Sequence, residues 1–247
     1  MKYFIIYTLL LFSVAQCSNE LVFEEQSFQK KTTLPCTGDC PSISVKIPVA
    51  NAVPVVADSI NKKVFSVLKE IIYFGEKPYT SKDYNGLLTS FINSYEKLQK
   101  EFPKDKFGWE ADIKGSVKYQ SENILNIEIN HYTYTGGAHG YQGLRSLLFD
   151  PNTGKSITND ELFIDKAIFK ALAEKKFRAK YKIPASKSIN STGLMFEKEM
   201  FQLPQNIFFT DKGLLLYYNS YEVASYADGA KELLLSYTEV NDYLAVK

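Results

Sequence analysis

At 247 residues, 45% hydrophobic and 23% charged, the chain has the balance of a globular protein able to bury a sizeable core, which excludes disorder for the bulk of it. Lys+Arg 29 against Asp+Glu 28 leaves a net charge of +1, so no summed field holds a nucleic-acid backbone, and a nucleic-acid partner is argued against. Two histidines and three cysteines are too few for a multi-metal or iron–sulfur site, while 17 Tyr and 17 Phe point to β-rich packing and an aromatic contact surface.

Met1-Lys2 followed by an apolar run from Tyr3 to Ala15 has the order of a basic n-region and an h-region, which predicts a signal peptide over 1–16. The run is too short for a membrane span, which takes ~20 apolar residues. Val14-Ala15-Gln16-Cys17 resembles a bacterial lipobox, making Cys17 the expected lipidated N-terminus, although Gln16 stands where that motif usually has a small residue. Ordinary secretion with a free or paired Cys17 is the alternative. Membrane association is expected through the N-terminal lipid only. Removing the leader takes Lys2 with it and leaves 28 basic and 28 acidic side chains, so no attraction to anionic lipid is expected.

Polar Ser18 to Lys31 reads as a tether, part of a segment over 17–41 that ends in a small disulfide turn. Cys36 and Cys40, in Leu34-Pro-Cys-Thr-Gly-Asp-Cys-Pro41, form an even pair suited to a disulfide in an oxidising compartment. A zinc site would need two further ligands, and the redox motif has two intervening residues where this pair has three.

Ser42 to Val49 alternates as a half-buried strand, and Val55 to Phe74 carries apolar residues at helical spacing until Gly75 and Pro78. A second helix is expected over Ser81 to Phe102, with Ser81 as N-cap and Pro103 as stop. Trp109 to Tyr119 and Ile124 to Tyr134 alternate and read as a hairpin. Leu144 to Phe149 is the next strand, turned by Asp150-Pro-Asn-Thr-Gly154 into Lys155 to Thr158. Thr158-Asn-Asp-Glu161 has capping-box spacing and predicts a helix from there to about Tyr181. Strands follow at Asn206 to Thr210, Leu214 to Tyr218 and Lys231 to Ser236, and a short helix over Tyr237 to Val246 closes the chain. The expected class is α+β, mainly antiparallel sheets packed with a few helices, in two lobes: a strand–helix lobe over 42–104 and a mainly antiparallel domain over 105–247.

Tyr132-Thr-Tyr-Thr-Gly-Gly-Ala-His-Gly-Tyr141 is the most informative segment. Its glycines permit positive φ and close backbone approach, so it reads as a tight loop presenting His139. If ligand contacts exist, Tyr132, Tyr134, Thr135, Gly136, Gly137, His139 and Tyr141 are their candidates, because an aromatic loop gives contact area at low side-chain entropy cost. The alternative is that the glycines serve packing and His139 bonds the backbone. No catalytic residue is assigned, since no Gly-x-Ser-x-Gly elbow exists and both downstream cysteines are expected to be oxidised. His131 and His139 with Glu128 or Asp150 match no established metal signature, so neither a metal nor another cofactor is expected.

Tyr134-Thr-Gly-Gly-Ala-His-Gly140, Phe149-Asp-Pro-Asn-Thr-Gly-Lys155, Asp160-Glu-Leu-Phe163 and Gly213-Leu-Leu-Leu-Tyr-Tyr218 with Tyr221-Glu-Val-Ala-Ser-Tyr-Ala-Asp-Gly229 follow one another in an order that resembles the extracellular domain of the RsiV-type anti-sigma factors. The strand and helix over about 42–74 are similar to the non-catalytic N-terminal module of the deacetylase PdaC. The resemblance covers about 42–245 and implies an extracytoplasmic α/β fold whose best-understood member binds lysozyme, while most members have no assigned function. An anti-sigma factor carries a cytoplasmic sigma-binding segment and a membrane span where this chain has its leader, and no deacetylase domain follows residue 247. Neither activity is therefore expected here. The resulting expectation is a lipid-anchored, non-enzymatic protein of the cell envelope, facing periplasm or cell surface, that binds lysozyme or peptidoglycan. The rivals are an envelope hydrolase using His139 or a metal, and a purely structural lipoprotein.

Overall fold

A computed structural model describes residues 21–36, 38–104 and 108–246. The leader and the lipobox cysteine Cys17 lie outside these residues. The first sheet has strand order β1-β2-β3-β4-β5, formed by β1 (Val22–Lys31), β2 (Ser42–Asn51), β3 (Glu110–Gln120), β4 (Leu125–Tyr134) and β5 (Tyr141–Phe149). All neighbours are antiparallel except β2 and β3, which run parallel from Ser42↔Glu110 to Lys46↔Lys114. A parallel pair needs a long crossover, and α1 (Pro54–Ile72) and α2 (Tyr84–Glu101) supply it.

Each helix buries one stripe. Ile60, Val64, Leu68 and Ile72 of α1 and Leu87, Leu88 and Phe91 of α2 pack with Ile43, Val45, Ile47, Ile113, Ile127 and Ile129 of the sheet. Pro54 opens α1, its missing N–H costing nothing at a helix start. Asp83, not Ser81, caps α2: its carboxylate accepts from Gly86 N at 2.7 Å, while the Ser81 hydroxyl is engaged with that of Ser90.

Residues 22–31 are a strand and not a tether. Phe23 and Phe28 are half-buried, and Phe28 stacks on Tyr84 at 4.8 Å. They stand five positions apart, so no two-residue period marks the strand in the sequence. Cys36 and Cys40 are joined by a disulfide, as expected, in the turn between β1 and β2.

The expected lobe boundary at 104/105 is also corrected. Residues 110–149 complete the first sheet, and the second lobe begins after Phe149. It contains α3 (Lys166–Lys180), a three-stranded antiparallel sheet of β6 (Asn206–Thr210), β7 (Gly213–Tyr218) and β8 (Lys231–Leu235), and α4 (Tyr237–Val240). Phe169, Phe177, Phe201, Leu214 and Leu216 lie at its core.

Two helix predictions shorten for one reason. The Thr158–Glu161 pair forms, Thr158 N donating to Glu161 Oε2 at 2.9 Å, but no helix follows until Lys166, where Asp165 caps the Ala167 and Ile168 N–H groups. In between, Ile164 N donates to Tyr243 O and Leu162 O accepts from Ala245 N, so pairing with the C-terminal segment takes the backbone groups a helix would use. That same pairing ends α4 at Val240, before a 3-10 turn at Asn241–Tyr243. Likewise Lys155 to Thr158 forms an isolated bridge, Ser156 to Phe149, in place of a strand.

The second lobe covers the face of the first sheet that the helices leave open, with β6 against β3, β4 and β5. Buried Asn126 of β4 accepts from Phe209 N at 2.9 Å and donates to the Ser146 hydroxyl and Leu147 O. The free edge of β5 is capped by two amides. Asn219 bonds both Leu144 N and Leu144 O, at 2.8 and 3.0 Å, and Asn206 accepts from Ser146 N at 3.0 Å.

Candidate functional site

The β4–β5 connection is a tight turn over residues 135–140, since Thr133 pairs with Tyr141 and Tyr134 is the last residue of β4. Gly136 and Gly137 take φ of 106° and 97°, a region that L side chains rarely adopt, and the Tyr134 hydroxyl closes the turn on Gly137 O at 3.0 Å. The Tyr132 ring lies directly over Gly140: a Cβ there would be 2.4 Å from the ring and hydroxyl and would push the ring aside.

Strand alternation divides the candidate residues. Tyr132 and Tyr134 point to the face carrying the second lobe, whereas Tyr141 shares the helix-covered face with His131, their rings 5.8 Å apart. The turn faces both ways. Thr135, Gly136 and Gly137 line an open groove of about 330 Å3 with Tyr95, Leu98 and Gln99 of α2, with Phe102 that caps its C-terminus, and with Trp109. On the other side, exposed His139 stacks on Tyr226 of the second lobe, ring centres 3.9 Å apart and 15° from parallel.

The His139 ring is also held by hydrogen bonds. Its Nδ1 lies 2.8 Å from Gly140 O, which can only accept, so the N–H is on Nδ1. Nε2 then accepts the Tyr221 hydroxyl at 3.4 Å, and Tyr221 stands 5.6 Å from Tyr226. The result is an exposed aromatic surface of His139, Tyr221 and Tyr226 beside an apolar groove, both built on one turn.

The residues considered for a metal do not meet. His131 is 3% exposed on the helix-covered face, His139 lies in the turn, Glu128 points to the opposite face and pairs with Lys118 at 3.1 Å, and Asp150 bonds Asn152 N and the Thr153 hydroxyl at the far end of the sheet. Among the described residues, neither ring nitrogen of His131 has a hydrogen-bond partner. Burial, reinforced by the Arg145 guanidinium, pulls its pKa down to about 4. Glu222, close enough to Arg145 to feel its charge, is raised by burial.

Sequence reasoning missed the groove wall and the second-lobe tyrosines. Tyr95 and Leu98 fall at the same apolar helical spacing as the core residues Leu87, Leu88 and Phe91, so nothing local distinguishes them. Tyr221 and Tyr226 sat inside a quoted motif whose proximity to His139 required the docking of the two lobes.

The sequence itself divides at the same place. A family model described as "Deacetylase PdaC" matches residues 36–142, and one described as "Protein of unknown function (DUF3298)" matches residues 155–238. The chain thus carries a stretch similar to PdaC followed by a stretch similar to DUF3298. Two solved structures of DUF3298 family proteins have the same fold: one from Pseudomonas aeruginosa PAO1, with a TM-score of 0.66 and 20% identity over 92% of this chain and 96% of that one, and one from Bacteroides fragilis NCTC 9343, with 0.64 and 22% over 90% and 94%. No curated protein matches the chain. The candidate turn lies at the end of the stretch that the first model matches, and the tyrosines that stack against it lie in the stretch that the second matches. Among the described residues no helix is long and apolar enough to cross a membrane.

Proposed function

We propose that this chain is a lipid-anchored, non-catalytic binding protein of the cell envelope whose ligand, a chicken-type lysozyme or peptidoglycan, docks on the 135–140 turn. The observation that carries the reading is the junction itself: an apolar groove of about 330 Å3 and an exposed aromatic stack share one glycine turn between two modules. Contact area presented on short, packed side chains suits binding, because little rotamer entropy remains to be lost. The resemblance to RsiV-type extracellular domains supports lysozyme as the first ligand to try, and the disulfide supports an oxidising compartment.

The test is calorimetric titration of the exported chain, carrying Cys17→Ser and kept oxidised, with chicken-type lysozyme and separately with soluble peptidoglycan fragments. Saturable 1:1 heat with one of them, weakened by Tyr226→Ala, is expected. No heat with either would overturn the reading.

A further inference from the structure

The two ends of the first sheet are chemically different, and the register says which end is which. Lys31, Ser42, Glu110 and Tyr134 stand in one row, next to the 135–140 turn, the groove and the disulfide. Val22 with Asn51, and Leu125 with Gln120 and Phe149, mark the other end. The chain enters the fold at that second end. Leu21 is 9% exposed and belongs to the first core, so the point of entry is fixed and not a loose loop. From Cys17 to Leu21 the backbone reaches at most ~14 Å, four residues at about 3.5 Å each. A lipid on Cys17 therefore holds this end of the sheet against the bilayer.

The surface there fits that placement. Val55, on the first turn of α1, is 81% exposed and Val22 is 51% exposed. Among residues 21–23, 51–55, 120–124 and 150–154 there is no lysine or arginine, and Glu122 and Asp150 are the only charged side chains. Between them lies a mostly polar groove of about 590 Å3 lined by Leu21, Gln120, Ser121, Glu122, Pro151 and Asn152. Lys155 follows at once in the same turn and is paired with Glu161 at 2.7 Å, so two exposed valines on a polar end with no unpaired cation among these residues suit the hydrated headgroup layer of a bilayer without calling for anionic lipid.

We infer that the molecule stands on the lipid surface by the Leu21 end of its first sheet, held there by the short tether, with the groove and aromatic stack roughly 30 Å out from the headgroups, the length of a ten-residue strand. The inference rests on the lipid-anchored reading and adds to it an orientation: the ligand is met on the side facing away from the membrane.

The experiment uses the full lipidated chain in phosphatidylcholine vesicles that carry a nitroxide headgroup lipid, with a fluorophore on Val55→Cys or, separately, on Ala138→Cys in the turn. Strong quenching at Val55, unchanged by added salt, and little at Ala138 or at Trp109, the single tryptophan, is the expected result. A Gly-Ser insertion of 12 residues after Glu20 should abolish the quenching at Val55 while the protein stays on the vesicles. Equal quenching at both labels, quenching at neither, or quenching at Val55 that survives the insertion overturns the inference. Mass spectrometry of the N-terminal peptide separates the two readings: without a diacylglyceryl group on Cys17 the lipid-anchored reading fails and the orientation with it, whereas a lipidated chain with the wrong quenching pattern sinks the orientation alone.

Discussion

His131 is a buried base with no hydrogen-bond partner among the described residues, and its titration has a defined sign. An unfolded histidine titrates near 6.5 and this one near 4, so between those values the unfolded chain binds the extra proton. Its contribution is intact above about pH 6.5 and lost as pH falls toward 4, by as much as about 3 kcal/mol. Urea midpoints measured from pH 7 to pH 4 should fall less steeply for His131→Leu than for the native chain, and parallel profiles would refute the assignment. His139 differs, because it is exposed and held by a stack. His139→Ala should weaken ligand binding at least about tenfold, the loss of 1.4 kcal/mol or more, with the melting temperature unchanged. An equal loss of stability would mean that the ring serves packing. The turn and its histidine were legible from the glycine pattern alone. The partners of the histidine were not, since Tyr221 lies 82 residues downstream and no local signal joins them.

Elements with a strong period were read closely, and those decided by a distant partner were not. The strand over Asn206 to Thr210 and the α1 helix follow from their own apolar spacing. β1 is mostly polar, with Phe23 and Phe28 at positions of opposite parity, and is held as a strand by pairing with β2, which is why it reads as a tether. The Thr158 capping pair shows that cap chemistry fixes a turn without committing the chain to a helix, once Leu162 and Ile164 are claimed by the C-terminal segment. β5 depends on side chains from the other module. One buried group left unsatisfied costs about 1–3 kcal/mol, so Asn219→Ala, which strands both Leu144 N and Leu144 O, should lower the unfolding free energy by at least about 2 kcal/mol. Asn219→Asp keeps the acceptor and loses the donor. Denaturant titration should place it between the native chain and the alanine variant.

For the whole molecule, two cores and a bonded seam predict one cooperative transition. Leu148 of β5 and Ile124, in the β3–β4 turn, belong to the second core, and Asn126 ties β4 to β6. Calorimetry of the oxidised chain should show a single peak, and residues 21–149 expressed alone should self-associate on size exclusion through the uncovered β5 edge. Reducing Cys36–Cys40 opens a five-residue loop worth about 2 kcal/mol in the chain-entropy account, so the peak should shift down without splitting. The boundary between lobes was misplaced in the sequence because the crossover helices look like the end of a unit, whereas the parallel β2–β3 pairing that spans them leaves no local trace. That the PdaC match stops at residue 142, just inside β5, bears on how such modules are exchanged between proteins. A PdaC module cut at that point loses its last strand, and one cut after Phe149 keeps the strand but leaves Leu144 and Ser146 without the amides that cover them. Any other domain that packs over that edge has to bring its own donors and acceptors to Leu144 and Ser146.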